Sequence, residues 1–334
     1  MFDSASAYRW ADLGETLTNA KQHEGAEYCF RTAVVAGPHD PAILCRAANF
    51  YFMIGDYAAT LRCLSAVLAN PDLTAYYLPV FVTLSRMNRP LSTILNDGIG
   101  YSHSAAQAYL RFVAEQGRIA DTETTWKWIA ERSLGNDQLN AEYLDFLVRH
   151  KQSRLAAETW AQLNARHAPE YLHSNWIFNG NFKFAPRPSP FDWHIEPKDD
   201  VATDRVCDLS RTEGCALELT FNGTENLDFH GVAQQGVLTP GTWLLQGAIK
   251  IDNVTTDQGV SVRIYDPVQP AKLDIQTDSL TGTRDWTKVE RLFDVRPETT
   301  LVRIEIQRRA SLKFDNKISG RAWVRSLVLR RESR

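Results

Sequence analysis

No stretch of 18 apolar residues occurs in the 334-residue chain, so the sequence offers no membrane-spanning helix. The start lacks a basic segment followed by an apolar one, and with it any visible secretory signal. A basic excess is missing too. Lys and Arg number 37 against 40 Asp and Glu. Residues 1–173 carry 15 against 18, and residues 174–334 carry 22 against 22. A nucleic-acid binder needs cations to offset phosphate, so that partner class is set aside. The basic residues near the end (Arg308, Arg309, Lys313, Lys317, Arg321, Arg325, Arg330, Arg331, Arg334) are interleaved with strand residues and read as a solvated sheet face. Catalytic signatures are absent as well: no Gly-x-Ser-x-Gly, no His-Glu-x-x-His, no Cys-x-x-Cys and no phosphate-cradling Gly-rich loop. The eight His are scattered without metal-ligand spacing. No enzyme activity, metal or cofactor is therefore expected. A glycosidase pair such as Glu225 with Asp228 is the weakest reading, because a small sandwich has no deep cleft. Cysteine is sparse and odd in number, at five. Cys29, Cys45 and Cys63 fall at apolar helix positions and read as core residues. Cys207 and Cys215 are close enough in sequence to pair in an oxidising compartment, though proximity in sequence does not fix their geometry.

What is present divides at residues 174–193. This stretch holds Asn175-Trp176-Ile177-Phe178-Asn179-Gly180-Asn181-Phe182, a Pro-rich run (Pro186, Pro188, Pro190) and Phe191-Asp192-Trp193. Before it, apolar residues recur at helical spacing. After it, they alternate with period two and are punctuated by Gly, Pro, Asn and Asp. The pattern predicts a two-domain α + β protein: a helical domain over 1–173 and an antiparallel β-sandwich over 174–331. Two domains also suit the length.

In the helical half, Trp10, Leu13, Gly14, Leu17, Ala26, Phe30, Ala33 and Pro38 fall at spacings that put Trp10, Leu13 and Leu17 on one face of a first helix and Ala26, Phe30 and Ala33 on one face of a second. The small Gly14 and Ala26 let the two approach, and Pro38 stops the second. A next unit places Leu44, Ala47, Ala48 and Tyr51 before a Gly55-Asp56-Tyr57 turn, and Leu61, Leu64 and Val67 after it. Further on, Tyr109 and Tyr143 are 34 residues apart, as are Trp126 and Trp160. Residues 72–102 read as an irregular helix pair, 76–87 and 91–95. These features resemble the tetratricopeptide repeat (TPR) family. The resemblance implies four to five helix hairpins stacked as an α-solenoid, with a groove that docks a protein partner. Trp10, Trp126 and Trp160 read as interhelix packing. A good repeat begins within the first residues and no polar cap precedes it. Upstream repeats or an export segment are expected on that ground, with a periplasmic or envelope location if so and a cytoplasmic one otherwise.

In the strand half, alternation marks strands through Leu217, Leu219 and Phe221; Trp243, Leu245, Ile249 and Ile251; Val260, Val262 and Ile264; Val289, Phe293 and Val295; Val302, Ile304 and Ile306; and Val324, Ser326 and Val328. About eight strands with no helix is the pattern of a sandwich or jelly roll. The order of features is Asn179-Gly180-Asn181-Phe182, Trp193, Gly214-Cys215-Ala216-Leu217-Glu218-Leu219, Gln234-Gln235-Gly236-Val237, Pro240-Gly241-Thr242-Trp243, Asp285-Trp286 and a Gly320 to Val324 strand. It resembles the galactose-binding-domain-like jelly rolls, which include several carbohydrate-binding module families. The first segment is thereby expected to be a strand. The resemblance implies glycan binding. Such modules often hold a structural Ca²⁺, but Lys183 and Arg325-Ser326 stand where its acidic ligands would be, so that site is expected to be absent.

A sugar site needs aromatic faces and planar polar side chains. The candidates are Trp193, Asp228, His230, Gln246, Arg263, Tyr265, Gln307, Lys313, Asp315 and Asn316, with Lys250, Asp257 and Glu305 beside them. Gln246, Lys250, Arg263 and Tyr265 are read as one polar face of the central strands. Plainer readings stand alongside. Arg263 and Glu305 also fit a cross-strand ion pair, His230 a surface residue, and Trp243, Trp286 and Trp323 the sandwich core or edge. The expected protein is a non-enzymatic scaffold with a protein-docking helical half and a glycan-binding sandwich. The alternative is a purely structural assembly protein, with a carbohydrate-active enzyme as the least favoured.

Overall fold

In a computed structural model of the chain, residues 4–207, 214–314 and 316–332 are described. Helices come first: α1 (Ser4–Asn19), α2 (His23–Ala36), α3 (Pro41–Ile54), α4 (Tyr57–Leu68), α5 (Tyr77–Arg86), α6 (Leu91–Thr93), α7 (His103–Glu115), α8 (Ile119–Glu131), α9 (Asp137–Arg149) and α10 (Ser153–Leu163). Ten strands follow: β1 (His194–Ile195), β2 (Val201–Cys207), β3 (Cys215–Asn222), β4 (Phe229–Val237), β5 (Gly241–Val254), β6 (Ser261–Tyr265), β7 (Asp274–Gln276), β8 (Gly282–Val295), β9 (Leu301–Arg308) and β10 (Ser319–Arg331). Among the described residues no helix is long and apolar enough to cross a membrane.

The helix boundaries follow local chemistry. Asp40 caps α3 by accepting from the amides of Ala42 (2.9 Å) and Ile43 (3.3 Å), and Gly55 ends it in the left-handed region at φ 79°. Asp56 caps α4 through the Ala59 amide at 2.9 Å. Pro71 opens a 3₁₀ turn (Pro71–Tyr76), and α6 runs into a π turn (Ile94–Ile99), so 72–102 is the irregular stretch the sequence predicts. The buried face of α1 differs from expectation. It is Ala7, Ala11 and Gly14, whereas Leu13 is exposed. Small residues win this face because the Phe30 ring lies on it: a Cβ at Gly14 would stand 3.0 Å from that ring. Positions 34 apart are alike in burial. Tyr109 and Tyr143, Thr125 and Thr159, and Trp126 and Trp160 are all buried.

The chain divides into two compact units, Met1–Leu139 and Asn140–Arg334. Secondary structure changes type between Leu163 and His194, but the division by contact falls earlier. Within the second unit the Trp160 ring meets Phe178 edge-on at 5.4 Å, and Tyr171 meets Phe178 at 5.8 Å. The Trp160 contact ties α10 to Phe178, which the Gln234 side chain holds against β4.

The sandwich has two five-stranded antiparallel sheets, ordered β1-β4-β9-β6-β7 and β2-β3-β10-β5-β8. Their inner faces enclose one core that includes Trp193, Trp243, Leu245, Ile249, Val262, Ile264, Ile304 and Val324. Two expectations need correction. Residues 174–182 are not a strand. They run in turns between the sheets, held by the Gln234 side chain, whose amide donates to Phe178 O at 3.0 Å and whose oxygen accepts from Phe178 N at 3.1 Å. The other anchor is β10: Leu327 N donates to Gly180 O at 3.0 Å, and a Cβ at Gly180 would overlap the Leu327 carbonyl. That approach admits only glycine. The second correction concerns β10 itself. A bulge with Ser326 at φ 54° shifts the register, so Leu327 and Leu329 are buried where Ser326 and Val328 were expected. Cys207 and Cys215, directly opposite across β2 and β3, form a disulfide.

Candidate functional site

Alternation decides what faces outward on the sheet β1-β4-β9-β6-β7. Val262, Ile264, Val302, Ile304 and Ile306 point into the core, so Arg263, Tyr265, Arg303, Glu305 and Gln307 point away from it. Register then places Arg263 opposite Glu305 and Tyr265 opposite Arg303. On the other side, Ala233 and Gln235 of β4 stand opposite Glu305 and Arg303. The small Gly231 and Ala233 leave a depression beside these long side chains. Its far wall is 196–198, hung on β4 by the Glu196 amide, which donates to Gly231 O at 2.7 Å. The Lys198 ammonium secures the same wall by donating to Asp228 O at 3.1 Å. The result is a cleft of about 430 Å³ lined by Glu196, Pro197, Lys198, Asp228, His230, Gly231, Arg263, Tyr265, Arg303 and Glu305.

The floor of the cleft is a charge ladder. Arg263 donates to Asp274 through Nε (2.7 Å) and Nη2 (2.9 Å), and to Glu305 Oε1 through Nη1 (3.1 Å). These contacts, the Asp274 hydrogen bond foremost, raise the Arg263 pKa, and Arg263 holds Asp274 below the usual carboxylate range. The guanidinium also lies 4.2 Å from the Tyr265 ring centroid. Burial raises the Tyr265 hydroxyl pKa above its ordinary value. The Glu305 side chain is only 2% exposed, and its second oxygen stands 3.4 Å from Arg303 Nε. That Nε and the Gln235 Oε1 are buried without a hydrogen-bond partner. At the rim, His230 Nε2 stands 3.5 Å from Asp228 Oδ2. Among the described residues no group of three or more His, Cys, Asp or Glu could hold a metal ion.

The structure brings four of the ten sequence candidates into this cleft: Asp228, His230, Arg263 and Tyr265. Others lie elsewhere. Trp193 is 1% exposed, packed 5.1 Å from Phe182 and donating to Asn179 O at 3.1 Å, so its ring is core. Gln246 and Lys250 belong to the other sheet, because β5 and β6 do not pair. There Gln246 bonds Glu290 at 3.0 Å and Lys250 lies 3.7 Å from Asp285. Gln307 shares the outward face but is buried, bonded to Gln276 (2.8 Å) and Ser261 (3.3 Å). Lys313 is exposed, 3.6 Å from Asp257. The Asn316 backbone oxygen accepts from Arg308 at 3.0 Å. Asp315 lies outside the described residues. Glu225 is exposed and does not line the cleft. Sequence reasoning did not find Glu196, Pro197, Lys198 and Arg303, which become site residues only through the β1–β4 and β6–β9 pairings. Of the tryptophans, Trp243 is core, whereas Trp286 and Trp323 are half-buried on the outer face of the other sheet, each under an arginine at 3.9 Å and 5.2 Å.

No protein-family model matches the chain, and neither does any curated protein sequence. Solved structures do. A CBM4 structure is similar at 15% identity and TM-score 0.35, over 47% of this chain and 99% of that one. TmCBM61 in complex with β-1,4-galactotriose is similar at 15% identity and TM-score 0.33, over 47% and 99%. The enzymatically active domain of tailspike protein 4 from bacteriophage CBA120 is similar at 14% identity and TM-score 0.34, over 47% of this chain but only 21% of that one. At these values the likenesses assign no ligand.

Proposed function

We propose that the protein is a non-enzymatic scaffold whose sandwich binds a neutral saccharide in the cleft on the β1-β4-β9-β6-β7 face. The observation that carries this reading is the buried Glu305 carboxylate held between two guanidinium groups at the cleft floor, where the Arg303 Nε pairs with it at 3.4 Å without a hydrogen bond. Fixed planar donors and acceptors suit ligand hydroxyls, each of which both donates and accepts. Charge in the cleft is balanced. Glu196, Asp228 and Glu305 offset Lys198, Arg263 and Arg303, which suits a neutral ligand better than an anion or a cation. Tyr265 supplies the aromatic surface. A binding role fits better than catalysis, because the one buried carboxylate is locked by two cations while Glu196 and Asp228 are exposed.

The helical half is proposed to dock a protein partner through TPR-like hairpins stacked as a short solenoid. The 34-residue recurrence with matched burial supports this. Together the two surfaces suit a polysaccharide-associated scaffold. One observation favours the structural alternative. The ladder from Asp274 through Arg263 and Glu305 to Arg303 is largely satisfied within the protein, as a strand-to-strand clamp would be. A glycan array probed with the intact protein, alongside Tyr265→Ala and Arg303→Ala, separates the two. Binding to one saccharide class that both variants lose is expected. A folded protein that binds no saccharide would leave the structural reading.

A further inference from the structure

Two side chains stand fully open on the loop between β9 and β10. Leu312 is 103% exposed and Phe314 104%, as open as in an extended peptide. The backbone next to them is held at Ser311, Lys313 and Asn316. The base of the loop is organised by Arg308, which is wholly buried. Its guanidinium donates to Gln258 O (3.2 Å), Asn226 Oδ1 (3.1 Å), Thr256 Oγ1 (3.3 Å), Asn316 O (3.0 Å) and Leu227 O. One cation thus ties together three loops. The Asn226 side chain then clasps both the amide (2.9 Å) and the carbonyl (2.8 Å) of Ser311. Ser311 Oγ accepts from the Lys313 amide at 3.0 Å, which fixes the turn that presents Leu312.

Burying a charged arginine is costly, and exposing two large apolar side chains on a fixed tip gains nothing for the fold. Side chains so placed gain free energy on entering an apolar medium. Charge selects which. Residues 309–317 contain Arg309, Lys313 and Lys317 against one acidic residue, Asp315; Arg309, Lys313 and Lys317 are all exposed, and the acidic group beside them from a neighbouring loop is Asp257, 3.6 Å from the Lys313 ammonium. Apolar side chains at a tip with cations around it complement an anionic lipid surface: the apolar groups enter the acyl boundary while the ammonium and guanidinium groups stay at the headgroups.

We infer that the loop at 311–314 is a membrane-contact tip, inserting Leu312 and Phe314 into the surface of an anionic bilayer with Arg309, Lys313 and Lys317 at its headgroups. This contact is peripheral and reversible, and it is independent of the saccharide cleft. Vesicle sedimentation tests it with the intact protein and vesicles of phosphatidylglycerol and phosphatidylcholine, against phosphatidylcholine alone. The intact protein is expected to sediment with the anionic vesicles, and less so as salt rises. Leu312→Ser with Phe314→Ser is expected to weaken partitioning at least about tenfold. Lys313→Glu with Lys317→Glu is expected to weaken it by about fivefold or more per residue. The thermal midpoint of the serine variant stays that of the parent, since neither side chain packs against the fold, so misfolding is not confused with lost insertion. Absence of sedimentation with anionic vesicles, equal sedimentation with phosphatidylcholine alone, or unchanged binding of the serine variant would each overturn the inference.

Discussion

Asp192 sits among Phe191, Trp193 and Tyr171 with 1% of its surface exposed. Its oxygens accept from the amides of Arg187 (3.0 Å) and Trp193 (2.7 Å), but burial outweighs these bonds and pushes its pKa up to about 6 from an ordinary 3.8. A carboxyl that is harder to ionise folded than unfolded destabilises the fold while charged. Its penalty is present above about pH 6 and is relieved as pH falls toward 4, by roughly 3 kcal/mol in all. Asp192→Asn removes that contribution. The stability difference between variant and parent, from urea unfolding at pH 7.5 and pH 4.5, should therefore favour the variant more at the higher pH. A difference independent of pH would contradict the account. Burial of this kind was not legible in the sequence, where Asp192 reads only as the middle residue of Phe191-Asp192-Trp193 at the change from helical to strand pattern.

At the scale of elements, the ladder on the β6–β9 face holds an edge. Among the described residues the three-residue β7 pairs with β6 alone, and Arg263 adds two bonds to its Asp274. Arg263→Ala is expected to raise hydrogen exchange across β7 and leave β5 and β10 protected, since those pair in the other sheet. Equal loosening of both sheets would show that the arginine serves global stability instead. The long strands could be read from sequence because both sheets bury one face and period-two alternation survives. The edges could not. β1 has two residues, and β2, Val-Ala-Thr-Asp-Arg-Val-Cys, has almost no apolar alternation. The bulge at Ser326 hid the second half of β10 by exchanging which residues face inward. The same limit applies to the cleft. Arg263 and Tyr265 were visible as polar residues on a strand, but the wall at 196–198 exists only because β1 pairs with β4 far along the chain. Gln246 and Arg263 look alike in sequence and are separated by sheet membership alone.

At the scale of the whole molecule, the last helix pair groups with the sandwich. Trp160 and Tyr171 cover Phe178, beside the Gln234 clamp that bridges to β4. A fragment 140–334 should accordingly melt several degrees above a fragment 174–334, which exposes Phe178 and loses the α10 contacts. Equal midpoints would return the boundary to the change in secondary structure. The central claim is that the outward face of one sheet, and not the other, takes a saccharide. The most direct test is calorimetric titration of the oligosaccharide selected by the array into the intact protein, Arg303→Ala and Gln246→Ala. The account predicts at least about a tenfold loss of affinity for Arg303→Ala, a loss of one charge-assisted contact, and parent-like affinity for Gln246→Ala on the opposite sheet. Loss of binding in Gln246→Ala with Arg303→Ala unaffected would contradict it and move the site to the β2-β3-β10-β5-β8 face.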